Sequence, residues 1–77
     1  MKLTSLDKIE VNKECKIINI EVEREIKFRL LDMGLIPDTK IKVIKKAPLG
    51  DPIQILLRGY NISIRKEIAK NIFVEVI

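Results

Sequence analysis

Two short cassettes limit how this chain can fold: Arg29-Leu30-Leu31-Asp32-Met33-Gly34-Leu35-Ile36-Pro37 and Ala47-Pro48-Leu49-Gly50-Asp51-Pro52. The first reads as the end of a helix, stopped at Gly34 and barred from continuing by Pro37. The second reads as a rigid loop, with two prolines around a glycine. Asp51, placed before a proline, is pushed to an extended conformation. Alternating aliphatic patterns flank both cassettes, at Cys15 to Ile20, Lys40 to Lys45, Ile53 to Arg58, Tyr60 to Arg65 and Ile72 to Ile77. Period-two alternation is the mark of a half-buried strand. The helix is therefore an insertion into a β-structure.

In the first of these strands Cys15, Ile17 and Asn19 share one side, with Ile18 and Ile20 on the other. In the third segment Ile53, Ile55 and Leu57 alternate with Gln54, Leu56 and Arg58. Asn12-Lys13 reads as a turn, and Gly59-Tyr60 as a bulge or turn. Leu3 and Leu6, three apart, read as a short helical turn that plugs one end of the core. Arg65 to Lys70 reads as a second helical turn, which Asn71 can end in the left-handed region. The expected architecture is mainly β with one inserted helix: a small, partly open SH3-like barrel of about five strands, because small sheets avoid exposed edges by curling closed. A chain of 77 residues makes one domain, 1–77.

The helix is expected over Val22 to Met33. Val22, Ile26, Leu30 and Met33 fall on one stripe, and Phe28, Leu31 and Leu35 on a second, nearly opposite one. One amphipathic helix needs a single stripe. Either the small core wraps both sides, or the helix ends early and Leu31 to Leu35 fold back, or one stripe faces a partner.

The absences narrow the chemistry. The chain has no histidine and one cysteine. No intramolecular disulfide exists, and a zinc site of the Cys/His type is excluded within one chain. Nucleophile–histidine pairs are impossible, and no phosphate-binding glycine pattern occurs. No catalytic residue, no metal ligand set and no cofactor is expected, and the chain does not read as an enzyme. Glu21, Glu23 and Glu25 read as a solvated face, although carboxylates can bind a hard cation. Cys15 reads as a small hydrophobic strand residue. Arg65 reads as an ion-pair partner of Glu67 or Asp51, or as a group acting in trans on a nucleotide or acidic site.

Net charge is +4, with basic and acidic residues interleaved across a charged fraction of 34%. Lys40, Lys42, Lys45, Lys46 and Arg58 would have to form one surface to contact phosphates. Stacking aromatics are scarce beside them, Tyr60 being the nearest, so nucleic acid is a weak candidate partner. No apolar run approaches the ~18 residues of a membrane span. The first residues lack the apolar core of a signal peptide, and a lone thiol suits a reducing compartment. The expected location is the cytoplasm, without membrane insertion.

With Arg58-Gly59-Tyr60-Asn61-Ile62-Ser63-Ile64-Arg65-Lys66-Glu67-Ile68-Ala69 added, the two cassettes in this order resemble the FeoA family, ferrous iron transport protein A. The resemblance spans Leu3 to Val76. It implies an SH3-like barrel and a cytoplasmic accessory of the FeoB transporter, which carries a cytosolic guanine-nucleotide-binding domain and a membrane permease. It also implies kinship with the C-terminal domains of iron- and manganese-responsive regulators, although no helix-turn-helix segment is present here. Asp38 stands where the family has glycine after Pro37, and Asn12 where a glycine often precedes the first strand. Both belong to the few residue types that tolerate positive φ.

An accessory barrel needs a contact surface. The expected one combines Phe28, Leu31 and Leu35 with the loop Pro48, Leu49, Gly50, Asp51 and Pro52, and with Arg65. Leu49 is the anchor, and the prolines limit the entropy lost on docking. A homo-oligomer through the second stripe, a nucleic-acid-binding barrel and a small metal- or ligand-sensing domain are the competing readings.

Overall fold

The alternating segments assemble into one antiparallel sheet in the computed structural model, which describes residues 3–77. Its strands are β1 (Leu3–Ser5), β2 (Glu14–Ile20), β3 (Lys40–Lys46), β4 (Ile53–Leu57), β5 (Tyr60–Ile64) and β6 (Ile72–Val76). They lie in the order β1-β6-β2-β3-β4-β5. Helix α1 (Arg24–Asp32) links β2 to β3, and the one-turn α2 (Lys66–Ala69) links β5 to β6. The sheet has six strands rather than about five. The extra one is β1, where a helical turn was expected, and the turn itself covers only Leu6–Lys8. Leu6 is fully buried while Leu3 stays largely exposed, so only one of the two leucines plugs the core. The backbone of Leu3–Ser5 instead pairs with β6, matching Leu3 to Glu75 and Ser5 to Phe73.

Two register shifts re-aim side chains, one between Ile17 and Asn19 in β2 and one between Val43 and Lys45 in β3. A bulge inserts one residue, bends the strand and raises its twist. Beyond the first shift the parity of β2 changes: Ile20 joins Cys15 and Ile17 in the core, and Asn19 is exposed. That reverses the expected faces of Asn19 and Ile20. In β3, β4 and β6 the alternate residues Ile41, Val43, Ile53, Ile55, Leu57, Ile72 and Val74 are buried, whereas Val76, which alternation puts on the face of Ile72 and Val74, is half exposed at the strand end. The buried residues form one aliphatic cluster.

Helix α1 ends as its sequence dictates. The Leu35 N–H donates to the Leu30 carbonyl at 3.0 Å and the Gly34 N–H to the Leu31 carbonyl at 2.9 Å. This is the Schellman arrangement, with Gly34 at φ +98° as its left-handed residue. It folds Leu35 back onto Leu30, and both are core residues. Asn12 and Asp38 adopt φ of 74° and 72°, as their residue types allow. The β4–β5 connection is a two-residue turn, Arg58-Gly59, with both φ positive, and Leu57 pairs with Tyr60 across it. Such turns match the twist of the flanking strands. Asn71 is not in the left-handed region. Helix α2 closes on Lys70 in the right-handed region, and Asn71 Nδ2 donates to the Glu67 carbonyl at 3.4 Å.

Candidate contact surface

The loop between β3 and β4 is fastened at three levels. The Ala47 N–H donates to the Pro52 carbonyl at 3.0 Å, and the Gly50 N–H to the Ala47 carbonyl at 2.7 Å. Asp51 then ties the loop to the start of α2, accepting from the Lys66 N–H at 3.0 Å. Arg65 lies 3.9 Å from the same carboxylate. Both partners of that pair are well exposed, so it contributes only ~0–1 kcal/mol, and the Lys66 bond sets the geometry. Asp51 is extended, at φ −145° and ψ 124°. At the tip Leu49 is 99% exposed and holds φ 70°. A leucine is disfavoured on both counts, since it buries nothing and takes a conformation that L-residues avoid.

The second helical stripe is divided. Phe28 is 53% exposed, with the Arg24 guanidinium 5.5 Å from its ring centroid. Leu31 is half-buried. Leu35 is fully buried and is removed from the contact surface, because the Schellman turn carries it into the core. The first stripe is divided as well. Leu30 is buried, Val22 and Ile26 pack against the core from its edge, and Met33 is 40% exposed. Ile26, Leu30 and Met33 form one wall of a cleft of about 240 Å³, and Ile64, Arg65 and Ile68 form the other. Arg65 thus joins the loop to the cleft. Sequence reasoning missed this cleft. Its signal is the three-residue spacing of Arg65 and Ile68 opposite the first helical stripe, but periodicity does not show that α1 and α2 leave a gap.

The basic residues do not form one surface. Lys40, Lys42 and Arg58 line a shallow depression together with Glu14. Lys46 turns away and donates to the Asp7 carbonyl at 3.1 Å. Lys45 lies beside the loop with Ala47, Pro48 and Pro52. Tyr60 is 73% exposed on β5. Glu21, Glu23 and Glu25 are exposed, and Glu21 accepts from Asn19 Nδ2 at 2.9 Å. Cys15 is buried, and burial pushes its thiol up to about 11, so it stays protonated at neutral pH. Among the described residues no three acidic, cysteine or histidine side chains converge on a point.

Comparison with known proteins decides the family, because residues 4–76 match the FeoA domain. The chain belongs to the FeoA family. That family consists of non-enzymatic accessory domains and is associated with ferrous iron transport. The chain is 33% identical over 72 residues to the Fe(2+) transport protein A/Fe(2+) transporter FeoB fusion protein of Porphyromonas gingivalis (strain ATCC BAA-308 / W83). The match takes in 94% of this chain but spans only 8% of that protein. The solution structure of the FeoA protein from Chlorobium tepidum superimposes with a TM-score of 0.92 at 30% identity, covering 96% of this chain and 70% of that one. The FeoA-like protein from Clostridium acetobutylicum does so with a TM-score of 0.88 at 42% identity, covering 100% and 90%. Among the described residues no helix is long and apolar enough to cross a membrane.

Proposed function

We propose that this FeoA-family chain is a cytoplasmic accessory module of ferrous iron uptake that acts by docking on a FeoB-type transporter. The observation that carries this reading is the fusion relative, in which a segment resembling this chain shares a polypeptide with a FeoB transporter. Tethering raises the effective concentration of two partners, a benefit only if they meet. The loop supports the same reading: it is hydrogen-bonded into one shape and presents an unburied leucine at its tip. A preorganised loop loses little entropy on docking. The contact residues are Pro48, Leu49, Gly50, Asp51 and Pro52 with Arg65, and Phe28 and Leu31 offer a second apolar spot. The six-stranded sheet, bent by its bulges, is read as a partly open SH3-like barrel in which the whole chain is one unit.

The test is co-purification of the chain with its cognate transporter, as the cytosolic part and at full length, with and without guanine nucleotide. Leu49→Asp and Phe28→Asp are compared after both are shown to be folded. Retention of wild type, lost in folded Leu49→Asp and weakly dependent on salt, supports docking through the loop. Absence of retention in every nucleotide state refutes the proposal. Retention that collapses with salt points instead to the phosphate-type contacts of Lys40, Lys42 and Arg58.

A further inference from the structure

The cleft between α1 and α2 carries an organised charge pattern. A second depression, of about 300 Å³, continues it and shares Ile26 and Ile68 with it. Glu23 and Glu67 flank this continuation, whereas Arg29 and Arg65 flank the first part. The two walls run in opposite directions. Glu23 precedes Arg29 on α1, while Arg65 precedes Glu67 on the facing segment. A bond from the Glu21 N–H to the Asn71 carbonyl, 2.8 Å, pins the acidic end. Like charge therefore faces like charge across both ends of one aliphatic floor.

The helix dipole explains half of this. Glu23 at the N-terminus of α1 and Arg29 in its last turn each complement the dipole. It does not explain why the opposite wall repeats the same signs. Inverting the order of Arg65 and Glu67 would have allowed ion pairs across the cleft, and among the described residues none crosses it. An occupant with a basic group at the Glu23/Glu67 end and an acidic group at the Arg29/Arg65 end complements both.

We propose that this cleft binds an extended peptide segment of a partner protein, with an aliphatic residue on the Ile26–Ile68 floor, a basic residue at the Glu23/Glu67 end and an acidic residue at the Arg29/Arg65 end. Size favours side chains over an enclosed small molecule, since each part lies at or below the ~300–1,000 Å³ of ligand pockets. Glu23 and Arg29 are about 9 Å apart along α1 at the helical rise, and side-chain reach extends that span. A segment with charges four positions apart, about 13 Å when extended, places both charges and the central aliphatic residue on one face. This goes beyond the transporter reading, because it fixes the chemistry of the occupant whichever partner supplies it.

The test is amide chemical-shift titration of the whole chain with three capped pentapeptides, each with three central leucine or isoleucine residues. One has lysine and glutamate at its two ends, one has lysine at both and one has glutamate at both. The mixed peptide is expected to shift Ile26, Met33, Ile64 and Ile68, and to bind wild type about fivefold or more tightly than either like-ended peptide. Arg29→Glu leaves a carboxylate opposite Arg65 and should abolish the preference for the mixed peptide over the doubly basic one, and Glu23→Lys, which leaves an ammonium opposite Glu67, should abolish its preference over the doubly acidic one, each in a variant with an unchanged melting curve. Shifts absent from the cleft, or affinities indifferent to charge in wild type and both variants, overturn the proposal. So does concentration-dependent dimerisation that fills the cleft with a second copy. The peptides read the cleft alone, so their failure leaves docking through Leu49 standing, and failure of the transporter to co-purify leaves the cleft untouched.

Discussion

Leu49→Gly should make the protein more stable and worse at its work. Leu49 sits at φ 70° with its side chain 99% exposed. The left-handed conformation costs a residue with a Cβ ~1–2 kcal/mol. Glycine adopts it freely but gains freedom in the unfolded chain, which returns roughly 0.5–1 kcal/mol. No buried area is lost. The net expectation is a gain of about 0.5–1 kcal/mol, or a rise in Tm of roughly 2–8 °C for a domain of this size. Burial of one leucine in an interface is worth ~1.5–3 kcal/mol, so affinity for the transporter should fall about 10- to 150-fold. Thermal and urea unfolding followed by circular dichroism give the first quantity, and titration calorimetry against the transporter's cytosolic part gives the second. A lower Tm would mean that Leu49 serves the fold itself. A higher Tm with unchanged affinity would remove Leu49 as an anchor.

Gly34→Ala should be the most damaging glycine substitution. Its φ is +98° and its new Cβ would sit 3.3 Å from Leu57 Cδ2 in the core, for a loss of ~2–3 kcal/mol. Gly59→Ala, at φ +85° with nothing within 4 Å, should lose only ~1 kcal/mol; equal urea midpoints would refute the Leu57 contact. Asp38→Gly should lie within ~0.5 kcal/mol of wild type, and Asp38→Val should lose ~1–2 kcal/mol, because a β-branched residue fits the observed φ poorly. The folded state holds the Cys15 proton up to about 11 against a usual value of 9.0. The unfolded state sheds it first, so this group's contribution to stability is intact below pH 9 and falls as pH rises toward 11. Unfolding curves across that window should fall less steeply for Cys15→Ala, and thiol labelling of wild type at pH 8 should follow the unfolding rate. Immediate labelling of the native protein would contradict the burial of Cys15.

Most of the fold was legible because local chemistry and tertiary packing agree. Gly34 and Pro37 mark the helix end, Asn12 and Asp38 occupy turns that their types tolerate, and the turn read at Gly59-Tyr60 lies one residue earlier, at Arg58-Gly59, with Tyr60 already in β5. What escaped was non-local. β1 exists because β6 offers an unpaired edge, which no pattern within Leu3–Ser5 can reveal. The shift after Ile17 reverses the parity of β2, and alternation cannot show where an extra residue is inserted. The rigidity of the loop was legible in its prolines and glycine, and the fold-back of Leu35 was one of the readings left open for the second stripe. Phe28 and Leu35 fall on one helical stripe by arithmetic, yet Leu35 follows the glycine and leaves the helix, so counting at 100° per residue no longer applies to it.

The arrangement separates what holds the protein together from what it can offer a partner. The core cluster is aliphatic except for a thiol kept protonated by burial, so acid–base change near neutrality has little purchase on the fold. Among the described residues the positive-φ positions lie outside the β-strands and α-helices, at Asn12, Gly34, Asp38, Leu49, Gly50, Arg58 and Gly59. Six of these seven are glycine, asparagine, aspartate or part of a tight hairpin turn. Leu49 alone is a large aliphatic, and its side chain lies almost wholly in solvent. The loop that carries it and the cleft beside α1 converge on adjacent residues, since Asp51 takes the Lys66 N–H and approaches Arg65, whose side chain also lines the cleft. An acidic group entering the cleft competes with Asp51 for Arg65. Because the Lys66 bond holds Asp51 independently of that ion pair, the loop keeps its shape while Arg65 changes partners, and both surfaces can be engaged by one binding protein.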